Sequence, residues 1–298
     1  KEDIQMKIGF IGTGVMGAAI ASNLLQAGNE LTVFNRTKSK TADLVAAGAT
    51  WADTPKKVAE VSEVVFSMVG FPTDVEQVYF ADDGIFAGSK KGTILIDMTT
   101  SKPSLAQKIA EHGERNGIHV LDAPVSGGDV GAKNATLTVM VGGNESTYQQ
   151  VKPLFEKISK KVTLFGPAGS GQHAKMANQI MIAGTMTGLT ETLLYTKAAG
   201  LDPHKVLDAL SAGGAQNWSL SNYGPRILQD DYTPGFFARH FLKDLRIALQ
   251  EADRMGLDLS ATANAKRLYE VMVDVYGLGD QGTQGLINIY SKTTKENN

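Results

Sequence analysis

The chain has 298 residues, 42% hydrophobic and 20% charged, with a formal net charge of −2. That length suits about two globular domains, and that charge gives no bulk attraction to nucleic acid or an anionic membrane. The chain contains no cysteine, which excludes disulfides, thiolate metal sites and a cysteine nucleophile and fits a reducing compartment. No basic stretch followed by an apolar run opens the sequence, so no secretion signal is expected and a cytoplasmic location is the expectation. Lys1–Gln5 is polar and is expected to fray.

The first half alternates short β-type runs with helical stretches, the pattern of a parallel sheet covered by helices. Lys7–Ile11 reads as the first strand and Val15–Ala27 as a helix closed by Gly28. Leu31–Phe34 is the second strand, followed by a helix ending near Gly48, and Thr54-Pro55 pairs an N-cap with an N1 proline to open a third helix. Further strands are expected at Val64–Met68, Thr93–Asp97 and His119–Ala123, and at Leu137–Val141 and Lys161–Leu164, which flank a helix beginning near Glu145.

Near Pro167 the texture changes, and from Gly169 onward only helical stretches are found, with start signals such as Asp202-Pro203. One run, Gly171 to Ala199, predicts a helix of roughly 40 Å at 1.5 Å per residue. Its segment Ile180–Tyr195 is apolar but carries Glu191 and several threonines, and it falls short of the roughly 18–20 apolar residues of a membrane span. The expected architecture is an α/β Rossmann-type N-terminal domain, residues 1–166, then an all-α C-terminal domain, residues 167–298, joined by the long helix.

Gly12-Thr13-Gly14-Val15-Met16-Gly17 matches G-x-G-x-x-G. With 32 glycines in the chain the spacing alone is weak, but an apolar strand runs into it and a helix opens out of it, as a dinucleotide site requires. Gly12 permits a tight turn, Gly14 lets a pyrophosphate approach the backbone, and Gly17 lets helix and strand pack closely. The helix N-terminus then offers N–H groups to the phosphates. About 18–20 residues on, where an NAD site places a carboxylate for the ribose 2′-hydroxyl, the chain reads Asn35-Arg36-Thr37. These can donate to a 2′-phosphate, so NADP is favoured with NAD as the alternative.

Four segments, in order, resemble the β-hydroxyacid dehydrogenase family. They are the nine residues from Gly9 to Gly17, Asp122-Ala123-Pro124-Val125-Ser126-Gly127-Gly128, Gly171-Gln172-His173-Ala174-Lys175-Met176-Ala177-Asn178, and Phe241-Leu242-Lys243-Asp244-Leu245. The family includes 3-hydroxyisobutyrate dehydrogenase, tartronate semialdehyde reductase and the glyoxylate/succinic semialdehyde reductases.

The resemblance implies that Lys175 is the catalytic lysine, taking the hydroxyl proton in oxidation and donating it to the developing alkoxide in reduction. Burial or a nearby positive charge would bring it toward the working range. Asn178, at i+3 on the same helix, orients the substrate oxygen or else joins two helices. Ser126-Gly127-Gly128, after a strand end, offers a hydroxyl and unobstructed N–H groups to a substrate carboxylate; a plain turn is the alternative. Lys243 matches a lysine that approaches the cofactor, with Asp244 read as structural, and Thr100, Met68 and Val69 match cofactor-lining positions that are otherwise ordinary loop residues.

His112, His119, His173, His204 and His240 show no ligand spacing, so no metal is expected. The reading is an NADP(H)-dependent oxidoreductase acting on a small carboxylic acid, interconverting a short β-hydroxy acid and its semialdehyde or keto form. The alternatives are an NAD-dependent 3-hydroxyisobutyrate or tartronate semialdehyde enzyme, or a non-catalytic dinucleotide-binding scaffold. Neither nucleic acid nor membrane is expected as a partner. A homodimer or homotetramer is expected, because about 130 helical residues carry more apolar surface than they bury alone and because the family assembles so.

Overall fold

The computed structural model describes residues 5–291; of the expected frayed start, residues 1–4 lie outside them. The strands are β1 (Lys7–Ile11), β2 (Glu30–Phe34), β3 (Thr50–Trp51), β4 (Val64–Ser67), β5 (Ile94–Asp97), β6 (His119–Asp122), β7 (Val125–Ser126), β8 (Leu137–Gly142) and β9 (Ser159–Gly166). They form one sheet in the order β3-β2-β1-β4-β5-β6-β8-β7, with β9 beside β8. The first six are mutually parallel, whereas β8 runs antiparallel to β6 and β7. Because β2 lies on one side of β1 and β4 on the other, the winding reverses at β1. Ligands bind outside the carboxyl ends of the strands at such a reversal.

Between the strands run α1 (Val15–Gln26), α2 (Ala42–Ala46), α3 (Pro55–Glu60), α4 (Pro72–Phe80), α5 (Ile85–Gly88), α6 (Pro103–Arg115), α7 (Gly128–Lys133) and α8 (Glu145–Glu156). Helices on both faces explain why β4 and β5 are buried at every position. On one face Phe10 stacks on Phe66 at 5.9 Å and Phe155 meets Phe66 edge-on. On the other, Ile11, Val65 and Leu95 pack with Val75, Tyr79 and Ile109. The predicted start and stop signals operate: Thr54 accepts from the Lys57 N–H at 3.1 Å, and Gly28 adopts φ +93° after α1. Two-residue strands such as β3 and β7 are too short to show alternation and escaped the reading of the sequence.

The remaining helices are α9 (Ser170–Ala198), α10 (Pro203–Ser211), α11 (Trp218–Leu228), α12 (Ala238–Arg254) and α13 (Ser260–Glu270). The chain divides into two compact units that part between Lys175 and Met176, inside α9. In the second unit Met186, Leu189 and Leu193 of α9 share a core with Leu220, Phe241, Leu245 and Tyr269. The Tyr269 hydroxyl, carried into that core, donates to the Thr283 carbonyl at 2.9 Å. No strand follows β9 among the described residues; a single bridge pairs Phe237 with Gly282. No helix among the described residues is long and apolar enough to cross a membrane.

Candidate active site

The turn after β1 is built by three glycines under different constraints. Gly12 holds φ +95°, and a Cβ there would overlap the Met68 carbonyl; a Cβ on Gly17 would overlap the Gly12 carbonyl. Around Gly14 the space is open to 4 Å. The loop is therefore closed where it must pack and bare where a phosphate would approach. Gly14 is the N-cap of α1, with no side chain capping it and no acid in the first turn, so the N–H groups of half-buried Met16 and exposed Val15 lack intrahelical partners. These features fit a dinucleotide pyrophosphate.

Thr13 is buried and locked: its N–H donates to Asn35 Oδ1 at 2.9 Å and its hydroxyl to the Lys40 carbonyl at 3.0 Å. Asn35 Nδ2 donates to the Thr37 carbonyl at 2.9 Å. Asn35 thus braces the glycine turn against the loop after β2, a role the sequence did not reveal. The Arg36 side chain stays 89% exposed, 3.8 Å from Asp74, and Thr37 is exposed beside it.

Beyond β4 and β5, Met68, Val69 and Thr100 are half-buried, and a buried polar cluster holds Val69. The Val69 N–H donates to Thr99 Oγ1 at 3.0 Å, and the Thr99 N–H donates to Asp97 Oδ1 at 3.1 Å. Ser67 donates to the same Asp97 oxygen at 3.0 Å and lies 2.9 Å from the Tyr79 hydroxyl. Burial pushes the Asp97 carboxyl up to about 6, against hydrogen bonds from Thr99 and Ser67 that pull it down.

At the next strand end, Ser126 is half-buried, and Gly127 and Gly128 follow with φ +130° and +65°. Such a pair of positive φ values favours glycine and leaves the N–H groups without flanking side chains. Asp122, ending β6, seats the start of α9: Oδ1 accepts from the Gly169 N–H at 2.8 Å and Oδ2 from the Gln172 N–H at 2.9 Å. Burial raises its carboxyl, while those donors pull it down. Its oxygens lie 2.6–2.8 Å from where a Cβ on Gly142 or Gly171 would stand, so both positions need glycine. One turn along α9, Lys175 is only 6% exposed, whereas His173 points to solvent.

In the second unit, Asn178 Nδ2 donates to Gln179 Oε1 at 2.8 Å, and Gln179 Nε2 donates to Asp244 Oδ2 at 2.7 Å. Asp244 is fully buried, and its Oδ1 forms an ion pair with Lys243 Nζ at 3.1 Å. One chain of polar contacts therefore links Asn178 to Lys243. Asp122, Gln172 and Gln179 are not singled out by residue type, although the first two stand inside the recognised motifs; Asp244, read as structural, is buried and paired. Asp97 carries no such mark. Among the described residues no three His, Cys, Asp or Glu are grouped to hold a metal ion.

A phosphate-ready turn at the reversal point of a doubly wound sheet marks a dinucleotide-binding protein. Comparison with known proteins narrows the class. Residues 7–166 match the family described as the NAD binding domain of 6-phosphogluconate dehydrogenase, and residues 169–290 the family described as NAD-binding of NADP-dependent 3-hydroxyisobutyrate dehydrogenase. A probable 3-hydroxyisobutyrate dehydrogenase-like protein of Arabidopsis thaliana is 50% identical over 94% of this chain and 84% of its own. The 2-hydroxy-3-oxopropionate reductase of Escherichia coli is 41% identical over 89% of this chain and 90% of its own. The solved 3-hydroxyisobutyrate dehydrogenase of Mycobacterium tuberculosis, with L-serine, superposes with a TM-score of 0.87 at 27% identity, over 96% and 99% of the two chains. The chain belongs to the β-hydroxyacid dehydrogenase family.

Proposed function

We propose that this protein is an NADP(H)-preferring oxidoreductase that interconverts a short β-hydroxy acid and its semialdehyde or keto form, with Lys175 as the proton donor and acceptor. In this reading residues 1–166 bind the dinucleotide, residues 167–298 complete the substrate side and self-associate, and the enzyme works in the cytoplasm as a homodimer or homotetramer. The observation that carries it is the burial of Lys175, one turn after a helix start that Asp122 fastens to the carboxyl edge of the dinucleotide sheet.

A bound nicotinamide supplies or accepts the hydride. The chain handles the proton and the geometry. In reduction the Lys175 ammonium gives a proton to the carbonyl oxygen as negative charge develops there; in oxidation the neutral amine takes the hydroxyl proton. Asn178, three residues on, lies on the same side of α9 and donates to that oxygen, orienting the reacting carbon. The Ser126 hydroxyl and the Gly127 and Gly128 N–H groups hold the carboxylate. Gly12 through Gly17 receive the pyrophosphate, Met68, Val69 and Thr100 line the nicotinamide half, and Lys243, fixed by Asp244, serves the cofactor. Preference for NADP(H) is supported by Asn35-Arg36-Thr37, a stretch with no carboxylate of its own, whose exposed Arg36 guanidinium would exchange its ion pair with Asp74 for a 2′-phosphate.

The test follows NADPH and NADH absorbance against glyoxylate, succinic, tartronate and methylmalonate semialdehydes, with Lys175→Ala alongside. Turnover of at least one substrate, faster with NADPH, is expected to fall by about 10²–10⁴-fold in the variant while NADPH binding is retained. Near-normal turnover in Lys175→Ala would remove the lysine from the reaction. Tight NADPH binding without turnover of any carbonyl compound would favour a binding role.

A further inference from the structure

Gln172 is not exposed at all, yet it has no place in the proton or hydride chemistry. Its amide spans the loop after β5. Nε2 donates to the Thr99 carbonyl at 2.8 Å, and Oε1 accepts from the Ser101 N–H at 2.9 Å. Those two groups belong to the peptide bonds on either side of Thr100, so one side chain grips the backbone of Thr100 much as a neighbouring strand would. The Gln172 main-chain N–H is itself held by Asp122. The same stretch of loop is tied from its other side, through Thr99, to Asp97 and Val69. Lys175 follows Gln172 at i+3, where side chains on a helix are neighbours.

We propose that Gln172 is a positioning residue that sets the distance between the cofactor-lining loop at Thr100 and the proton-transferring Lys175, an inference that rests on the roles proposed for those two residues. Glutamine suits the task because it presents one donor and one acceptor side by side. Neither methionine nor an ionised glutamate can do both. A neutral glutamic acid can, with its carbonyl accepting from Ser101 and its O–H donating to Thr99.

The chemistry therefore predicts a rescue by acid that simple damage to packing would not give. In Gln172→Met, kcat is expected to fall by about 100-fold, the scale of an ångström-sized misplacement. Its Kd for NADPH is expected to rise about tenfold, the effect of roughly one lost hydrogen bond. Substrate KM is expected to change little. In Gln172→Glu, burial raises the introduced carboxyl. At pH 8.5 this variant should match Gln172→Met, and at pH 5.5 both its kcat and its Kd for NADPH, each relative to wild type at the same pH, should return toward one. Gln172→Met should show no such return.

Wild-type kcat and Kd in Gln172→Met with only a lowered Tm would overturn the assignment, as would a Gln172→Glu variant whose ratios to wild type do not move with pH. Should Gln172→Met fail to fold, the titration of Gln172→Glu decides alone. Should wild type bind NADPH but reduce nothing, the proposed reaction falls, and the Kd series still decides whether Gln172 sets the cofactor loop.

Discussion

Asp97→Asn isolates the cost of one buried carboxylate under the cofactor loops. In the folded chain this carboxyl titrates at about 6 rather than 3.8, because burial disfavours its charge more than Thr99 and Ser67 favour it. The native state thus holds a proton that the unfolded state releases between about pH 4 and pH 6. Stability drawn from this group is fully present below the unfolded value and is lost as pH rises through the folded one. The gap, at about 1.4 kcal/mol per pH unit, amounts to about 3 kcal/mol, visible against a typical total of roughly 5–15 kcal/mol. Asparagine keeps an Oδ1 to accept from Ser67 and Thr99, which now stand at 3.0 and 3.1 Å, and it carries no charge at any pH. Urea unfolding of both chains from pH 4 to 8 is the assay. The stability of Asp97→Asn minus that of wild type is expected to climb by about 2.4 kcal/mol between pH 4 and 7, the rest of the gap lying below pH 4, and then level off. Parallel curves, or a difference that shrinks as pH rises, would refute the reasoning.

Two further outcomes follow from the surface. Arg36→Ala should raise the KM for NADPH about tenfold while leaving that for NADH nearly unchanged, since the two cofactors differ only in the 2′-phosphate that would draw the guanidinium from Asp74. The loss should shrink in high salt, because the side chain is 89% exposed; an unaltered NADPH-to-NADH ratio of kcat/KM would count against the assignment. Met181 and Tyr195 of α9 are 69% and 75% exposed, apolar surface that self-association would cover, so light scattering should give a dimer or tetramer mass and a monomer would refute the proposed assembly.

Much of the fold was legible because its determinants are local. Strand runs such as Ile8–Ile11 and Val64–Phe66 are apolar, as strands covered on both faces tend to be. Capping pairs such as Thr54-Pro55 and Asp202-Pro203 act within one turn of chain, and in the structure Asp202 accepts from the His204 N–H at 2.9 Å. The glycine turn was readable from its spacing: Gly17 is required by the carbonyl of nearby Gly12, although Gly12 itself faces the distant Met68 carbonyl just beyond β4.

What the sequence by itself determined is therefore the order of the longer strands, the change to helices after β9, the dinucleotide turn and, through its motifs, the family. What only the tertiary structure decided is which polar side chains hold those motifs in place. Asp122 meets Gln172 across 50 positions, Thr99 meets Gln172 across 73, and Gln179 meets Asp244 across 65. No periodicity or propensity encodes such pairings. They arise because a buried donor or acceptor must find a partner wherever folding brings one within about 3 Å, and the chain announces the partner only once the sheet and α9 are in place.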